Sequence, residues 1–242
     1  MARVFVNDST LTDIADAIRE KNGTEDTYKP SQMADAVRGI QSGGGYDLPQ
    51  YMYNFENVFF GADFGEDYTL RLQMDSIMSG LGKTALRYAF RTTNLKEIIL
   101  SSTKKGIISN FDSICQNSTL ERFDFTELDI SLTSALNAFN NCINLVTVAG
   151  VIKFVDGYCG VSSMFNGCTA LRDVTFFERT ITKNLSASQS PNLSDASIQS
   201  IIDGLADLTG QTAQTLTFHA DVKAKLTEEQ IATITSKNWT LA

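Results

Sequence analysis

The chain has 242 residues, of which 43% are hydrophobic, and a formal net charge of −8. This apolar content is enough for a buried core and excludes a largely disordered chain. The acidic balance argues against nucleic acid as a partner, because no basic stripe is available to neutralise phosphates. No apolar run approaches the roughly 18 residues of a membrane span, and the first eight residues lack the apolar core of a signal peptide. We therefore expect a soluble protein made in the cytoplasm, without membrane insertion.

Residues 1–41 are predicted to form a small helical hairpin. Leu11, Ile14 and Ile18 keep the spacing of one helix face, and Met33 and Val37 do the same in a second helix. A unit of this size is too small to close a core of its own, so its apolar stripe is expected to pack on sister copies or on another protein. The alternative is a hairpin folded back onto the rest of the chain. The glycine-rich residues 42–45 follow as a flexible linker.

A repeat of about 25 residues organises the segment 46–242. Four leucines mark it, each opening the same short apolar pattern: Leu95, Leu120, Leu145 and Leu171. Five residues after each leucine stand Leu100, Phe125, Gly150 and Phe176, and ahead of three leucines stand Phe90, Phe139 and Phe165. Units of this period, here called coils, cannot bury their apolar faces alone and must stack. The period predicts an α/β solenoid with a parallel sheet running its length.

The start of this segment is predicted to be a modified first coil under a cap. Leu70 lies 25 residues before Leu95 in a short alternating stretch, which indicates a degenerate strand. Aromatic residues crowd the chain from Tyr46 onward. We expect them to cover the first coil, and sugar-stacking platforms are the alternative.

The end of the chain is predicted to consist of two helix-and-strand coils that close the stack. Ser194 is placed to cap a helix that leads to the strand 215–218. Thr227 and Gln230 form a capping-box pattern that opens a second helix, and the strand 239–241 follows it.

The cysteines are expected to be reduced and packed as small hydrophobes. They are Cys115, Cys142, Cys159 and Cys168. Cys142 and Cys168 each precede a repeat leucine by three residues, which places them on neighbouring coils and predicts a ladder of thiols. A disulfide or metal site at this pair is a weaker alternative, because no CxxC spacing and no histidine accompanies it.

The second and fourth residues after each leucine should face away from the core. They form an outward ladder, which we take as the candidate ligand-binding surface: Glu97, Ile99, Arg122, Asp124, Thr147 and Thr175, with Ala149 and Asp173 in the same pattern. Stacked strands lie about 4.8 Å apart, so Glu97 and Arg122 are expected to pair. We predict no catalytic residue, cofactor or metal. His219 has no catalytic motif around it and is expected at the end of a strand.

Two stretches resemble the "AF-x-x-C-x-x-L" signature of BspA-like leucine-rich repeats. They are Ala138–Leu145 and Ser163–Leu171. The coil around Ser113-Ile114-Cys115 departs from that signature, since it lacks the phenylalanine and places its cysteine differently. The opening 6–40 and the ending 193–242 are similar to the ends of tail proteins from phages and prophages of Gram-positive bacteria.

The resemblance implies a virion tail or tail-fibre protein without enzymatic activity that attaches to the host surface. Its expected partners are a bacterial cell-surface glycan or protein, other tail proteins and sister copies in a homotrimer. It would be made in the host cytoplasm and act outside the cell. Two alternatives remain open: a glycan-degrading tail enzyme that uses acidic residues such as Asp124, and a bacterial surface adhesin encoded by a prophage.

Overall fold

The structure is a computed structural model that describes residue 16 and residues 46–47, 58–64, 67–74, 86–155 and 159–242. This part of the chain is mostly parallel β-sheet with few helices. The helical hairpin predicted for 1–41 and the linker 42–45 fall outside the described residues, apart from residue 16. The residues assigned to oligomerisation also fall outside them: Leu11, Ile14, Ile18, Met33 and Val37.

Strands alternate with turns along most of the described chain. In chain order the strands are β1 Tyr46–Asp47, β2 Thr69–Gln73, β3 Glu97–Ser101, β4 Ile107–Asn110, β5 Arg122–Glu127, β6 Ile130–Ser134, β7 Thr147–Ile152, β8 Asp173–Phe176, β9 Leu185–Ala187, β10 Gln214–Phe218 and β11 Trp239–Leu241. The helices are α1 Asp195–Gly204, α2 Ala220–Lys223 and α3 Glu228–Ser236. The pairings among these strands are parallel.

The described strands fall into three sheets. The largest has six strands in the order β1-β2-β3-β5-β7-β8, and each neighbour comes from the next coil. A two-stranded sheet pairs β4 with β6, and a three-stranded sheet has the order β11-β10-β9. A single sheet along the whole stack was expected, and this is wrong for the end of the chain. There α1, rather than a strand, lies beside β8, and the last strands pair separately.

The repeat leucines occupy equivalent places in successive coils. The backbone amide after each leucine donates to the coil before it: Lys96 to Tyr68, Glu121 to Lys96, Val146 to Glu121 and Arg172 to Val146, at 2.8–3.0 Å. Leu95, Leu120, Leu145 and Leu171 are all fully buried. The predicted register of these four leucines is therefore confirmed.

The predicted register of Leu70 is wrong. Leu70 pairs with Ile98 rather than aligning with Leu95, so this step between strands is 28 residues long. Additional residues in the connection shift the strand without changing its apolar alternation, because a strand alternates with a period of two whatever precedes it.

The turns ahead of the leucines share one backbone pattern. Each turn has two residues with positive φ spaced four apart: Tyr88 and Thr92, Ser113 and Asn117, Asn137 and Asn141, Ser163 and Gly167. Asparagine and glycine, which tolerate this left-handed conformation better than most residues, stand at Asn117, Asn137, Asn141 and Gly167, whereas the other positions hold Tyr, Thr or Ser. Midway between each pair lies a buried side chain that fills the core: Phe90, Cys115, Phe139 or Phe165. Cys115 thus takes the place of the missing phenylalanine.

A column of small hydrogen-bond donors runs beside these side chains. The Cys142 thiol donates to the Cys115 carbonyl at 2.8 Å, and the Cys168 thiol donates to the Phe139 carbonyl at 3.0 Å. In the coil before them, the Ser118 hydroxyl donates to the Phe90 carbonyl at 2.6 Å. The predicted thiol ladder is confirmed, and its thiols satisfy buried carbonyls between coils.

All four cysteines are free, and Cys115, Cys142 and Cys168 are buried. Desolvation by burial raises the pKa of Cys142 to about 12, and it raises the pKa of Cys168 further. These thiols stay protonated at neutral pH, which fits donors in a core.

The end of the chain folds as its capping signals predict. Ser194 caps α1 and accepts a hydrogen bond from the Ser197 amide, and Thr227 with Gln230 forms the capping box of α3. Strand β10 lies between β9 and β11, with Leu216 in register with Leu241. No helix among the described residues has the length and hydrophobicity to cross a membrane.

Candidate functional site

The outward ladder lies on one face of the six-stranded sheet. Its first row runs across the strands through Thr69, Glu97, Arg122, Thr147 and Asp173, which are partners in register. The alternate residues of each strand, such as Ile98, Phe123 and Val148, are buried. The second and fourth positions after the leucines are partly or fully exposed, as predicted.

Hydrogen bonds and ion pairs fix the centre of this face. Arg122 contacts Glu97 at 3.1 Å and Asp124 at 2.7 Å, so one guanidinium joins two carboxylates. Thr69 donates to Glu97 at 3.2 Å, and Thr126 donates to Asp124 at 2.8 Å. The predicted pairing of Glu97 with Arg122 is confirmed. These contacts hold five polar side chains in fixed positions across three adjacent strands.

The carboxyl group of Asp124 is held in its charged form. Partial desolvation raises its pKa, but hydrogen bonds from the Thr126 amide and hydroxyl and from Arg122 outweigh this and lower it. A carboxyl that stays ionised serves as a hydrogen-bond acceptor and is unsuited to donate a proton near neutral pH.

The ladder between β5 and β7 stops partway along both strands. Their register ends at Asp124 with Ala149, although β5 continues to Glu127 and β7 to Ile152. On its other side β7 contains a bulge, because Val148 pairs with Val174 and the next pair is Val151 with Thr175. The two strands therefore part beyond Asp124.

Gly150 lies in this bulge with φ +119°, and an added Cβ would meet the Phe125 ring at 2.8 Å. Gly150 stands five residues after Leu145, as Phe176 does after Leu171, but the two are not in register. Ile152, two residues later, is paired with Phe176 and buried. The two extra residues in the bulge therefore shift the end of β7 by two residues relative to β8.

An open cleft of about 340 Å³ lies where β5 and β7 part. We call it the bulge cleft. Its apolar lining consists of the buried Phe125, Leu128 and Ile130, and Gly150 also borders it. The remaining lining is more exposed or polar: Thr126, Asp129, Val151, Lys153 and Phe177.

The structure brings only part of the predicted ladder together. Glu97 lies in register with Arg122, which lies in register with Thr147, and Ile99 lies beside Asp124. Thr175 does not continue the row of Asp124 and Ala149, because the bulge pairs it with Val151.

Sequence reasoning missed Val151, Lys153 and Phe177 as surface residues. Val151 and Phe177 are 46% and 47% exposed, and the Lys153 ammonium lies 4.9 Å from the centre of the Phe177 ring. The alternation of a strand contained a signal for Phe177, since it follows the inward-facing Phe176. The bulge that displaces Val151 has no comparable signal in one sequence.

Other chemistry-bearing residues have structural positions. His219 follows the end of β10 as expected, and its Nδ1 caps α2 by accepting from the Asp221 amide at 3.2 Å. Within the described residues, no three His, Cys, Asp or Glu side chains are grouped to hold a metal ion.

Comparisons of the chain with protein families, with curated proteins and with solved structures find no match.

Proposed function

We propose that the chain is a non-enzymatic component of a phage tail or tail fibre that binds the surface of its bacterial host. In this proposal the segment 46–242 is a BspA-like leucine-rich-repeat solenoid, and the N-terminal helices attach it to the tail as a homotrimer. The buried leucines, one to a coil, and the turns around Phe139 and Phe165 support the fold part of the proposal. They are the positions on which the resemblance rests.

The outward face of the six-stranded sheet carries the functional part of the proposal. Glu97, Arg122 and Asp124 are held by mutual contacts of 2.7–3.1 Å, so their side chains are ordered before any ligand arrives. Affinity is gained when the groups that contact a ligand lose little conformational freedom on binding. A preordered polar face across several coils therefore suits recognition of an extended surface polymer.

A pull-down on bacterial cell walls tests the binding part of this proposal. The purified full chain is incubated with walls of Gram-positive cells, either untreated or stripped of protein, and the retained fraction is measured. Retention on both preparations is expected for a glycan receptor, and retention on untreated walls alone would indicate a protein receptor. No retention on walls from a broad panel of Gram-positive hosts would contradict the proposal.

The same incubation separates binding from glycan hydrolysis. We expect no release of reducing ends from the walls. Release that is abolished by Asp124→Asn would show an enzyme instead. Light scattering of the full chain tests the oligomer, with a mass of three chains expected and a monomer contradicting it.

A further inference from the structure

The bulge cleft has the composition of a small-molecule subsite and adjoins the proposed binding face at Thr126, which donates to Asp124. Sites for small ligands combine an apolar lining with a few placed polar groups and have volumes of about 300–1,000 Å³. The bulge cleft, at about 340 Å³, lies at the lower end of this range. Phe125, Leu128 and Ile130 supply its apolar lining, and Asp129 and Lys153 supply charges of opposite sign.

The polar groups of the cleft have unused hydrogen-bonding capacity. Asp129 Oδ2 accepts from the Gly106 amide at 3.0 Å, which orients the carboxylate, and no group in the described part of the chain donates to Oδ1. The Thr126 hydroxyl donates to Asp124 and retains its acceptor capacity. No described carboxylate lies within 4.0 Å of the Lys153 ammonium, which can therefore donate to a ligand.

An aromatic platform stands beside these groups. Phe177 is 47% exposed and Val151 is 46% exposed, and the Lys153 ammonium lies 4.9 Å from the centre of the Phe177 ring. Exposed apolar side chains next to a cleft lower the free energy of a complex when a ligand covers them. A matching ligand needs an apolar face of its own, together with donors for Asp129 and an acceptor for Lys153.

Charge narrows the class of ligand further. The chain has a formal net charge of −8, and Asp124 and Glu127 lie on the strand that forms one wall of the cleft. A polyanionic surface polymer would be repelled there. A neutral sugar ring has one face of C–H groups and hydroxyls that donate. An acetamido group adds a methyl for the apolar lining and a carbonyl that can accept from Lys153.

We propose that the bulge cleft binds one neutral N-acetylated hexosamine unit of the host surface glycan. This inference rests on the function proposed above and names the ligand class. The sugar ring lies against Phe177, its hydroxyls donate to Asp129, and the acetamido methyl contacts Leu128 or Ile130.

Saturation-transfer NMR of the full chain with two trisaccharides tests this inference. The probes are the β-1,4-linked trimer of N-acetylglucosamine and cellotriose, which has the same linkage without acetamido groups. We expect transfer to the acetyl methyls of the first trimer and at least tenfold weaker binding of cellotriose. Absence of transfer to both trimers, or equal binding of both, would overturn the inference.

Variants locate the binding. Phe177→Ala is expected to weaken binding of the N-acetylglucosamine trimer at least tenfold. The matched control Ile143→Ala removes a side chain that is 53% exposed in the turn before β7, and it should bind as the unaltered chain does. Both side chains are exposed, so both variants should keep the melting temperature. Unchanged binding by Phe177→Ala would also overturn the inference.

The wall pull-down distinguishes the two proposals. If walls stripped of protein retain both the unaltered chain and Phe177→Ala equally, the cleft inference fails and the binding function stands. If the chain binds the N-acetylglucosamine trimer through Phe177 but no walls retain it, the cleft inference stands and the proposed function fails.

Discussion

Replacing Gly150 with alanine tests the bulge on which the cleft depends. The added Cβ would lie 2.8 Å from the Phe125 ring, and the backbone there has φ +119°. A sparsely populated backbone conformation costs about 1–3 kcal/mol, and overpacking against the buried Phe125 ring costs about 1–3 kcal/mol more. We therefore expect Gly150→Ala to lower the free energy of unfolding by about 2–6 kcal/mol, measured by urea denaturation.

Gly106→Ala is the matched control for this experiment. Gly106 also has positive φ, at +65°, but no atom lies within 4 Å of an added Cβ. Gly106→Ala should lower the free energy of unfolding only by the left-handed backbone penalty of about 1–2 kcal/mol. Adding Phe125→Leu to Gly150→Ala should recover part of the loss, because it removes the ring that the new methyl meets. A Gly150→Ala variant no less stable than Gly106→Ala would refute the reasoning.

Three further predictions concern buried or charged groups elsewhere. Cys142→Ala should destabilise the protein by about 1 kcal/mol, because the Cys115 carbonyl loses the thiol donor and keeps only the Ser118 amide, while Cys142→Ser should retain most of the stability in the same urea titration. Ser109→Ala should leave stability unchanged or raise it by up to about 1 kcal/mol in thermal unfolding, because no described group accepts from or donates to its buried hydroxyl. The pKa of Asp124 is lowered in the folded protein, so its charged form stabilises the fold at pH values above the unfolded pKa of about 3.9. This stabilisation is lost as the pH falls through the lower pKa of the folded state. Asp124→Asn should therefore be less stable than the unaltered chain at pH 7, with the difference shrinking below pH ~4; an equal difference at both pH values would contradict this.

The features that could be predicted from the sequence are those carried by residue type at a fixed period. Leu95, Leu120 and Leu145 are 25 residues apart and occupy equivalent buried places. The helix caps at Ser194 and Thr227 could also be predicted, because each depends on contacts within one turn of helix. Helix caps and a regular leucine spacing can both be recognised in the sequence without knowing which residues pack against them.

The features that could not be predicted depend on insertions and on contacts between coils. The 28-residue step from Leu70 to Ile98 and the bulge at Gly150 change the register without changing the alternation of apolar residues. Strand β9, which contains Leu185, is too short and too polar around its ends to produce a pattern. The bulge cleft could not be predicted either, because it forms where β5 and β7 separate after the bulge.

The edge strand β8 of the six-stranded sheet has hydrogen-bond partners on α1 in place of another strand. The Ser197 hydroxyl accepts from the Val174 amide at 2.9 Å. The Ser200 hydroxyl accepts from the Phe176 amide at 2.9 Å and donates to the Phe176 carbonyl at 3.3 Å. Two serines of α1 thus bond the backbone groups of β8 that would otherwise be free to pair with a strand of a second chain.

This closure restricts how copies of the chain can associate. Because α1 covers β8, the six-stranded sheet cannot extend past β8 by pairing with the strand of a sister copy. The proposed trimer must therefore form through other surfaces, such as the N-terminal helices or the edge strand β11. If the outward face binds a surface polymer as proposed, a trimer of this kind would present three such faces to one polymer, which raises the overall affinity without any new contact within a face.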